Sequence, residues 1–331
     1  ITNFITSLCT LAKKQFKEDN ITKIFWMQKI VEVSELNLYR VKIEWSGIWP
    51  IIRDFLIDVG LSLDINNSIT AVDSLRQLAM KYLQMKETSD FHFQKEFFVP
   101  FQAIWDNSKS LQTKDYVISC INNLVLNEAN SIKSGWIIIF NIYGTVTNID
   151  NINEDIIQRT LNTIYEISQK NFADISDVFI DFCTCLKTFC KVSPQKVLSI
   201  LDFFVQKLTK IEHFKVMLQC YYPIILEQDE NIVQVSLSKM HSLIKQGLVN
   251  PTTRYIQKDK EYWTFLLNDI IIPLIRELTK NVFQKPLQEL LINTAGLFND
   301  YFSYNYNLLE KYFDAVSNVI CSGSEICNSG L

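Results

Sequence analysis

The feature that most constrains this chain is a period. Ala71-Val72-Asp73-Ser74-Leu75 opens one helical face, and Lys114-Asp115-Tyr116-Val117 opens the next of its kind 43 residues later. Asp155-Ile156-Ile157 follows after a further 41. The helices between them step likewise, from Phe91 to Ser134 and on to Ile175. Ser46-Gly47-Ile48-Trp49 and Ser134-Gly135-Trp136 both place Ser-Gly and then Trp at a helix start, two such steps apart. Inside each face the apolar residues recur at three and four positions: Ala71, Leu75, Leu78, Ala79 and Tyr82, then Val117, Ile121, Leu124 and Val125, then Ile157, Leu161, Ile164 and Ile167. Helix pairs repeating every 40–47 residues mark armadillo and HEAT arrays. One pair cannot bury both of its faces, so neighbours stack and share a continuous core. The expected fold is therefore all-α: an armadillo/HEAT-like α-solenoid of stacked helix pairs.

The residues that break chains agree. Eight Gly and seven Pro in 331 residues fall well short of the roughly 12% these two make up on average. So few turn formers cannot build the many hairpins of a sandwich or propeller. Fifteen helices are expected, over 1–18, 21–38, 48–60, 66–86, 92–107, 113–130, 135–147, 153–171, 176–190, 194–210, 213–227, 231–247, 261–280, 285–303 and 305–321. Pro50, Pro194 and Pro251 fall near starts or breaks, where a missing N–H costs little. Pro100 and Pro273 fall inside helical patterns and should kink or break them. The expected organisation is a first repeat region over 1–175 and further repeats over 176–331, with a sub-boundary near 250 at Asn250-Pro251-Thr252-Thr253. The opening Ile-Thr-Asn reads as an internal start within a longer polypeptide.

Charge removes several functions. Lys and Arg number 32 against 36 Asp and Glu, a net charge of −4. A nucleic-acid binder needs an excess of cations to neutralise phosphates, and only six of the basic residues are Arg. No nucleic-acid partner is expected. The longest apolar stretches, Trp136–Phe140 and Ile270–Ile275, are far shorter than the ~20 residues that span a bilayer. Eight Cys without paired spacing read as buried thiols of a cytosolic protein. Cys183, Cys185 and Cys190 form the densest cluster, but their spacing lacks the paired ligands of a zinc site.

His92, His213 and His241 neighbour no nucleophile elbow and no metal-binding helix motif, and read as surface or rim residues. Asp150 and Asp155, like Asp229 and Glu230, read as solvated helix caps. No catalytic residue, metal or cofactor is expected. Phe91, Phe93, Phe97, Phe98, Phe101 and Trp105 crowd one segment, and Trp45 and Trp49 another; most of these rings read as core. Lys13, Lys14 and Lys17 on the first helix, and Lys81, Lys86 and Lys95 further on, read as solvated faces or as contacts for an anionic membrane.

Several stretches carry a resemblance. Ala71-Val72-Asp73-Ser74-Leu75-Arg76-Gln77-Leu78-Ala79-Met80-Lys81-Tyr82-Leu83 resembles the most recognisable helix of the large Golgi Arf guanine-nucleotide exchange factors, the brefeldin-A-inhibited or BIG-type family, in the region downstream of the catalytic exchange domain. Phe91-His92-Phe93-Gln94-Lys95-Glu96-Phe97 with Pro100-Phe101 is similar to the segment that follows. Ile132-Lys133-Ser134-Gly135-Trp136 with Phe140 is similar to the next landmark. Lys29-Ile30-Val31-Glu32-Val33, Arg40 and Trp45-Ser46-Gly47-Ile48-Trp49 match upstream ones. The four landmarks keep one order over residues 25–140; the family usually has a basic residue where Gly47 stands, and the resemblance fades past about 175.

The resemblance implies a non-catalytic chain, since the family's exchange segment Phe-Arg-Leu-Pro-Gly-Glu does not occur here. It implies a regulatory and recruiting role on Golgi and trans-Golgi membranes in vesicle-mediated transport, cytoplasmic and peripheral. The implied partners are activated Arf, Rab-type small GTPases, the protein's own exchange domain and, through these, the membrane surface. Partner contacts are expected at Arg76, Lys81, Phe91, Phe93 and Lys95. Asp73 and Arg76, three residues apart, could equally pair as a polar tie between repeats. Without the landmarks, the period alone fits any helical-repeat scaffold, such as a transport receptor or adaptor.

Overall fold

The computed structural model describes residues 1–17, 23–38, 42–85, 93–170, 172–226, 230–249, 257, 259–281, 283–301 and 306–322. Among these residues there is no strand. Two compact units divide the chain, Ile1–Val178 and Phe179–Leu331. The first holds α1 (Thr2–Lys17), α2 (Lys23–Asn37), α3 (Lys42–Gly60), α4 (Ile65–Leu83), α5 (Gln94–Asn107), α6 (Leu111–Glu128), α7 (Trp136–Thr145), α8 (Glu154–Lys170) and the single turn α9 (Phe172–Ile175). The second holds α10 (Phe179–Phe189), α11 (Pro194–Val205), α12 (Ile211–Leu226), α13 (Glu230–Val249), α14 (Lys260–Phe265), α15 (Ile272–Lys280), α16 (Gln284–Tyr301) and α17 (Tyr306–Ser322).

In the first unit each helix packs on the helix two places along. α1, α3, α5 and α7 form one layer and α2, α4, α6 and α8 the other, and the pairs α1–α2, α3–α4 and α5–α6 join the layers. In the second unit α10, α12 and α15 stack in one layer and α11, α13 and α16 in the other. This is the stacked-pair architecture of an α-solenoid.

The sequence period reappears as the separation of hydrogen-bonded partners. In the first unit Ser68 and Thr113 are 45 residues apart, Tyr116 and Asp73 43, and Trp105 and Thr145 40. In the second unit the step shortens: Lys187 and Gln219 are 32 apart, and Lys239 and Asp202 37.

The aromatic crowd is the core of the first unit. Trp49 and Phe97 stack with centroids 4.1 Å apart, Tyr82 stacks on Phe97 at 4.3 Å, and Trp45 lies against both Trp49 and Phe97. α3, α4 and α5 meet there.

Three prolines behave differently from expectation. Pro50 lies inside α3, because that helix begins at Lys42 rather than near 48; burial of Trp45, Ile48 and Trp49 outweighs one lost hydrogen bond. α5 runs unbroken through Pro100. The proline leaves the Glu96 carbonyl without its helical donor, and the indole Nε1–H of Trp49 donates to that oxygen at 3.3 Å. The preceding helix of the layer thus supplies the missing partner. The break expected at Pro273 is a wide turn instead: Leu266–Ile271 is π-helical, and the Ile272 N–H donates to Leu267. Widening relieves the clash between the proline ring and the carbonyl four residues back. Pro194 opens α11 as expected. The segment around Asn250 and Pro251 lies outside the described residues.

The two Ser-Gly-Trp segments, one inside α3 and one opening α7, differ in their demand for glycine. A Cβ at Gly135 would meet the Phe98 ring at 2.7 Å, so α5 and α7 approach more closely than any side chain there allows. A Cβ at Gly47 would find only Thr2, at 4.0 Å. A larger residue would therefore meet no clash at its Cβ at this position. Gly135→Ala should lower unfolding free energy by about 1–3 kcal/mol through overpacking. Gly47→Ala should raise it by up to about 1 kcal/mol through helix propensity. Urea melts of the two variants check the opposite signs.

Candidate functional site

The candidate surface lies on the layer containing α4, α6 and α8. α4 is opened by Asp64, whose side chain accepts the Asn66 N–H at 3.0 Å. Two turns in, Asp73 and Arg76 share a face, as three-residue spacing requires. Arg76 donates to Asp73 Oδ1 from Nε at 2.9 Å and from Nη2 at 2.8 Å, and Gln77 donates to Oδ2 at 2.7 Å. From α6, the Tyr116 hydroxyl donates to Oδ1 at 3.3 Å. Both members of the ion pair are about 30% exposed. Burial pushes the Tyr116 hydroxyl up to about 12, with Cys120 and Asp73 adding to it. The phenol therefore stays protonated and stays a donor at neutral pH. Arg76 is thus paired with Asp73 within α4, and the Tyr116 hydroxyl links that pair to the next repeat.

One step along, the motif recurs with the signs exchanged. Arg159 on α8 donates to Asp155 at 2.7 Å on its own helix, and to Ser119 at 2.9 Å and Asp115 at 2.5 Å on α6. Burial works against the guanidinium charge, and the bonds and charges of Asp115 and Asp155 more than offset it, so its proton affinity is raised. Asp155 is thus an ion-pair member, not simply a solvated cap. Sequence reasoning missed this cluster. Its signal was present: Asp115 and Arg159 are 44 residues apart, one repeat, and Asp155 and Arg159 have helical spacing. Each partly exposed pair stabilises by only about 0–1 kcal/mol, so the clusters set register and surface charge more than stability.

Gln94 was also missed as a functional position. It is fully buried at the start of α5. Its Nε2 donates to the Ser131 carbonyl at 2.7 Å, and its Oε1 accepts the Lys133 N–H at 2.6 Å. The side chain copies a peptide group and clamps the connector before α7. The Lys95 N–H donates to Ser134 at 3.3 Å in the same joint. The side chains of Lys95 and Lys133 remain exposed on either side.

The residues expected at a partner contact therefore separate. Lys81 is exposed in the last turn of α4, where its charge complements the helix dipole. Lys95 is exposed at the start of α5. Arg76 is engaged by Asp73. Phe93 is a correction: it is 6% exposed and packs on Trp45, Tyr82 and Phe97, so it is a core residue and not a rim contact. The ring is drawn in because Tyr82 and Trp45 leave an apolar slot at the α4–α5 junction. Phe91 lies outside the described residues.

The six described thiols are buried, as expected. Cys183, Cys185, Cys190 and Cys220 pack between α10 and α12, where the Cys190 thiol donates to the Cys220 carbonyl at 3.3 Å. Burial raises the pKa of Cys185 and Cys190, and lifts Cys9 to about 11 and Cys120 to about 12. Among the described residues no group of three or more His, Cys, Asp or Glu is placed to hold a metal. His213 is another correction: it is 8% exposed, with its ring 4.8 Å from that of Phe179. His241 is half-buried, and His92 lies outside the described residues. No described helix is long and apolar enough to cross a membrane.

Stacked helix pairs tied by polar clusters at one-repeat spacing define a helical-repeat scaffold of the armadillo/HEAT kind. Residues 81–166 match the family described as Mon2/Sec7/BIG1-like HDS. The chain is 32% identical over 193 residues to brefeldin A-inhibited guanine nucleotide-exchange protein 4 of Arabidopsis thaliana, covering 57% of this chain and 11% of that protein. It is 35% identical over 191 residues to brefeldin A-inhibited guanine nucleotide-exchange protein 1 of Homo sapiens, covering 57% and 10%. The chain thus spans about a tenth of the length of the curated relatives it matches. These matches bear out the resemblance to the BIG-type, brefeldin-A-inhibited guanine nucleotide-exchange proteins.

Two measurements check the site. Gln94→Ala should lower unfolding free energy by about 1–3 kcal/mol, because a buried carbonyl and N–H lose their partners; a urea melt reads this. Iodoacetamide at pH 8 should leave Cys9, Cys120, Cys183, Cys185, Cys190 and Cys220 unlabelled in the native chain and label all six in urea, since burial disfavours the reactive thiolate. Peptide mass mapping reads which thiols react.

Proposed function

We propose that this chain is a regulatory and recruiting array of an Arf guanine-nucleotide exchange factor, not a catalytic one. It binds GTP-loaded Arf, and in the same manner Rab-type GTPases, and controls an exchange domain of the same protein on Golgi and trans-Golgi membranes. The observation that carries this reading is the coincidence of the family match over 81–166 with the stretch where α4, α5, α6, α7 and α8 are held in register by cross-repeat bonds. A rigid array of this kind can orient one partner against another. Regulation is then a shift of population: the partner binds the released arrangement better than the restrained one.

Lys81 and Lys95 are the cations through which the array meets an acidic GTPase surface, since both are exposed. Arg76 acts indirectly, by holding α4 against α6 through Asp73 and Tyr116.

The test uses neutral vesicles carrying lipid-anchored Arf. The chain should sediment with GTP-loaded Arf and stay in solution with GDP-loaded Arf. Lys81→Glu/Lys95→Glu should reduce GTP-dependent recovery several-fold, more so at low salt, because exposed charges act through steering. Equal recovery with both nucleotides would count against the reading.

A further inference from the structure

We propose that one lateral edge of the first unit is an interface between two copies of this chain, paired about a two-fold axis. The edge is formed where odd-numbered helices hand over to even-numbered ones. Three bonds fix its order. Lys13 at the end of α1 pairs with Asp58 at the end of α3. The hydroxyls of Ser68, just past the α3–α4 loop, and Thr113, just past the α5–α6 loop, are hydrogen-bonded at 3.1 Å. Trp105 near the end of α5 donates to Thr145 at the end of α7 at 2.8 Å. The end of α1 and the α3–α4, α5–α6 and α7–α8 loops therefore follow one another along the edge. Its middle is apolar where loops are ordinarily polar. Leu63 at the tip of the α3–α4 loop is 94% exposed; Leu61 and Ile65 on either side of it, and Leu111 at the start of α6, are exposed too. These tips are held in place. The Asp64 N–H donates to Ser62 at 3.2 Å, the Ser110 N–H to Ser108 at 3.2 Å, and the Ser68 hydroxyl to the Gly60 carbonyl. A preformed edge loses little conformational freedom on association.

Charge argues for a second copy as the occupant. Among the described residues, each segment of the edge shows one sign once its internal pairs are set aside. At the end of α1, Asp58 takes up Lys13, and Lys14 stays exposed. The α3–α4 loop presents Asp64. In the α5–α6 segment the charges of Asp106 and Lys114 act on each other, and Lys109 stays exposed. In the α7–α8 segment Arg159 binds Asp155, and Asp150 and Glu154 stay exposed. The order along the edge is plus, minus, plus, minus. Reversed, it is minus, plus, minus, plus. A second copy laid antiparallel along this edge therefore meets the opposite sign at every segment. Lys14 faces Asp150 and Glu154 of the second copy, and Asp64 faces its Lys109. The leucines of the α3–α4 loop then meet Leu111 beside the axis. A two-fold contact demands this self-complementarity, and an apolar centre within a charged rim is the usual anatomy of an interface. An anionic membrane does not fit, because acidic segments alternate with the basic ones and are repelled by it.

This inference does not rest on the GTPase reading, and its experiment contains no GTPase. Sedimentation equilibrium of the whole chain at low salt reads the monomer–dimer constant. The expected result is a dimer in the micromolar range, as suits a small contact. Leu63→Glu should weaken it by about tenfold or more, as loss of a central apolar anchor does. That side chain is almost wholly exposed, so an unchanged urea melt should accompany the loss. Lys14→Glu should weaken the dimer several-fold, and so should Asp150→Lys/Glu154→Lys. All of these charge reversals in one chain should restore association to within about twofold of the unaltered chain, because the signs are then exchanged across the axis. Ile292→Glu, at an exposed apolar residue on α16, should leave the constant unchanged. A chain that stays monomeric throughout the micromolar range overturns the proposal. So does a dimer that Leu63→Glu leaves intact, or one that the combined charge reversals fail to restore. Flotation of a monomeric chain with phosphatidylserine vesicles, abolished by Leu63→Glu, overturns it as well, since the edge would then be a lipid contact.

Discussion

Packing of each helix on the helix two places along is the constraint from which the rest follows. A helix pair in isolation would leave one apolar face in water. Stacking at a fixed interval covers it, and the interval then dictates which residues can touch. Ser68 reaches Thr113, Trp105 reaches Thr145 and Arg159 reaches Asp115 because each partner sits one repeat away. The polar ties are weak one by one. Their value is positional: they are strung along an interface that apolar burial has already closed, and they forbid a slip of one turn.

The α3–α5 joint shows how such a stack absorbs a local defect. Pro100 removes a helical hydrogen bond, and the freed Glu96 carbonyl is taken up by the Trp49 indole from the preceding helix of the layer. The tryptophan is held there by Phe97, whose ring stacks on it. A residue that ought to break a helix instead marks where one repeat locks to the next. Gln94 does the same for the connector before α7, and Gly135 lets that helix approach Phe98. The stretches that make the chain recognisable are largely the stretches that hold its joints.

This bears on function. Arg76 and Phe93 stand in recognisable segments, yet one is spent on an internal ion pair and the other on the core. What stays exposed beside these joints is the rim that holds Lys81 and Lys95. A scaffold that binds through such surfaces can exchange partners without disturbing its interior.

The sequence by itself determined the helices, their interval and the absence of turn-rich architectures, because apolar periodicity and Gly/Pro scarcity act locally and leave a direct trace in the order of residues. It also marked the buried thiols and the aromatic core. Tertiary structure alone decided which prolines would be tolerated, whether Gly47 or Gly135 was obligatory, and that Arg159 would bridge α6 and α8. Those outcomes depend on a neighbour some forty residues away, which supplies a missing donor at Glu96, fills the space beside Gly135 or offers a carboxylate at Asp115. Periodicity says that a neighbour will be present; only the packed interface says which atom it presents.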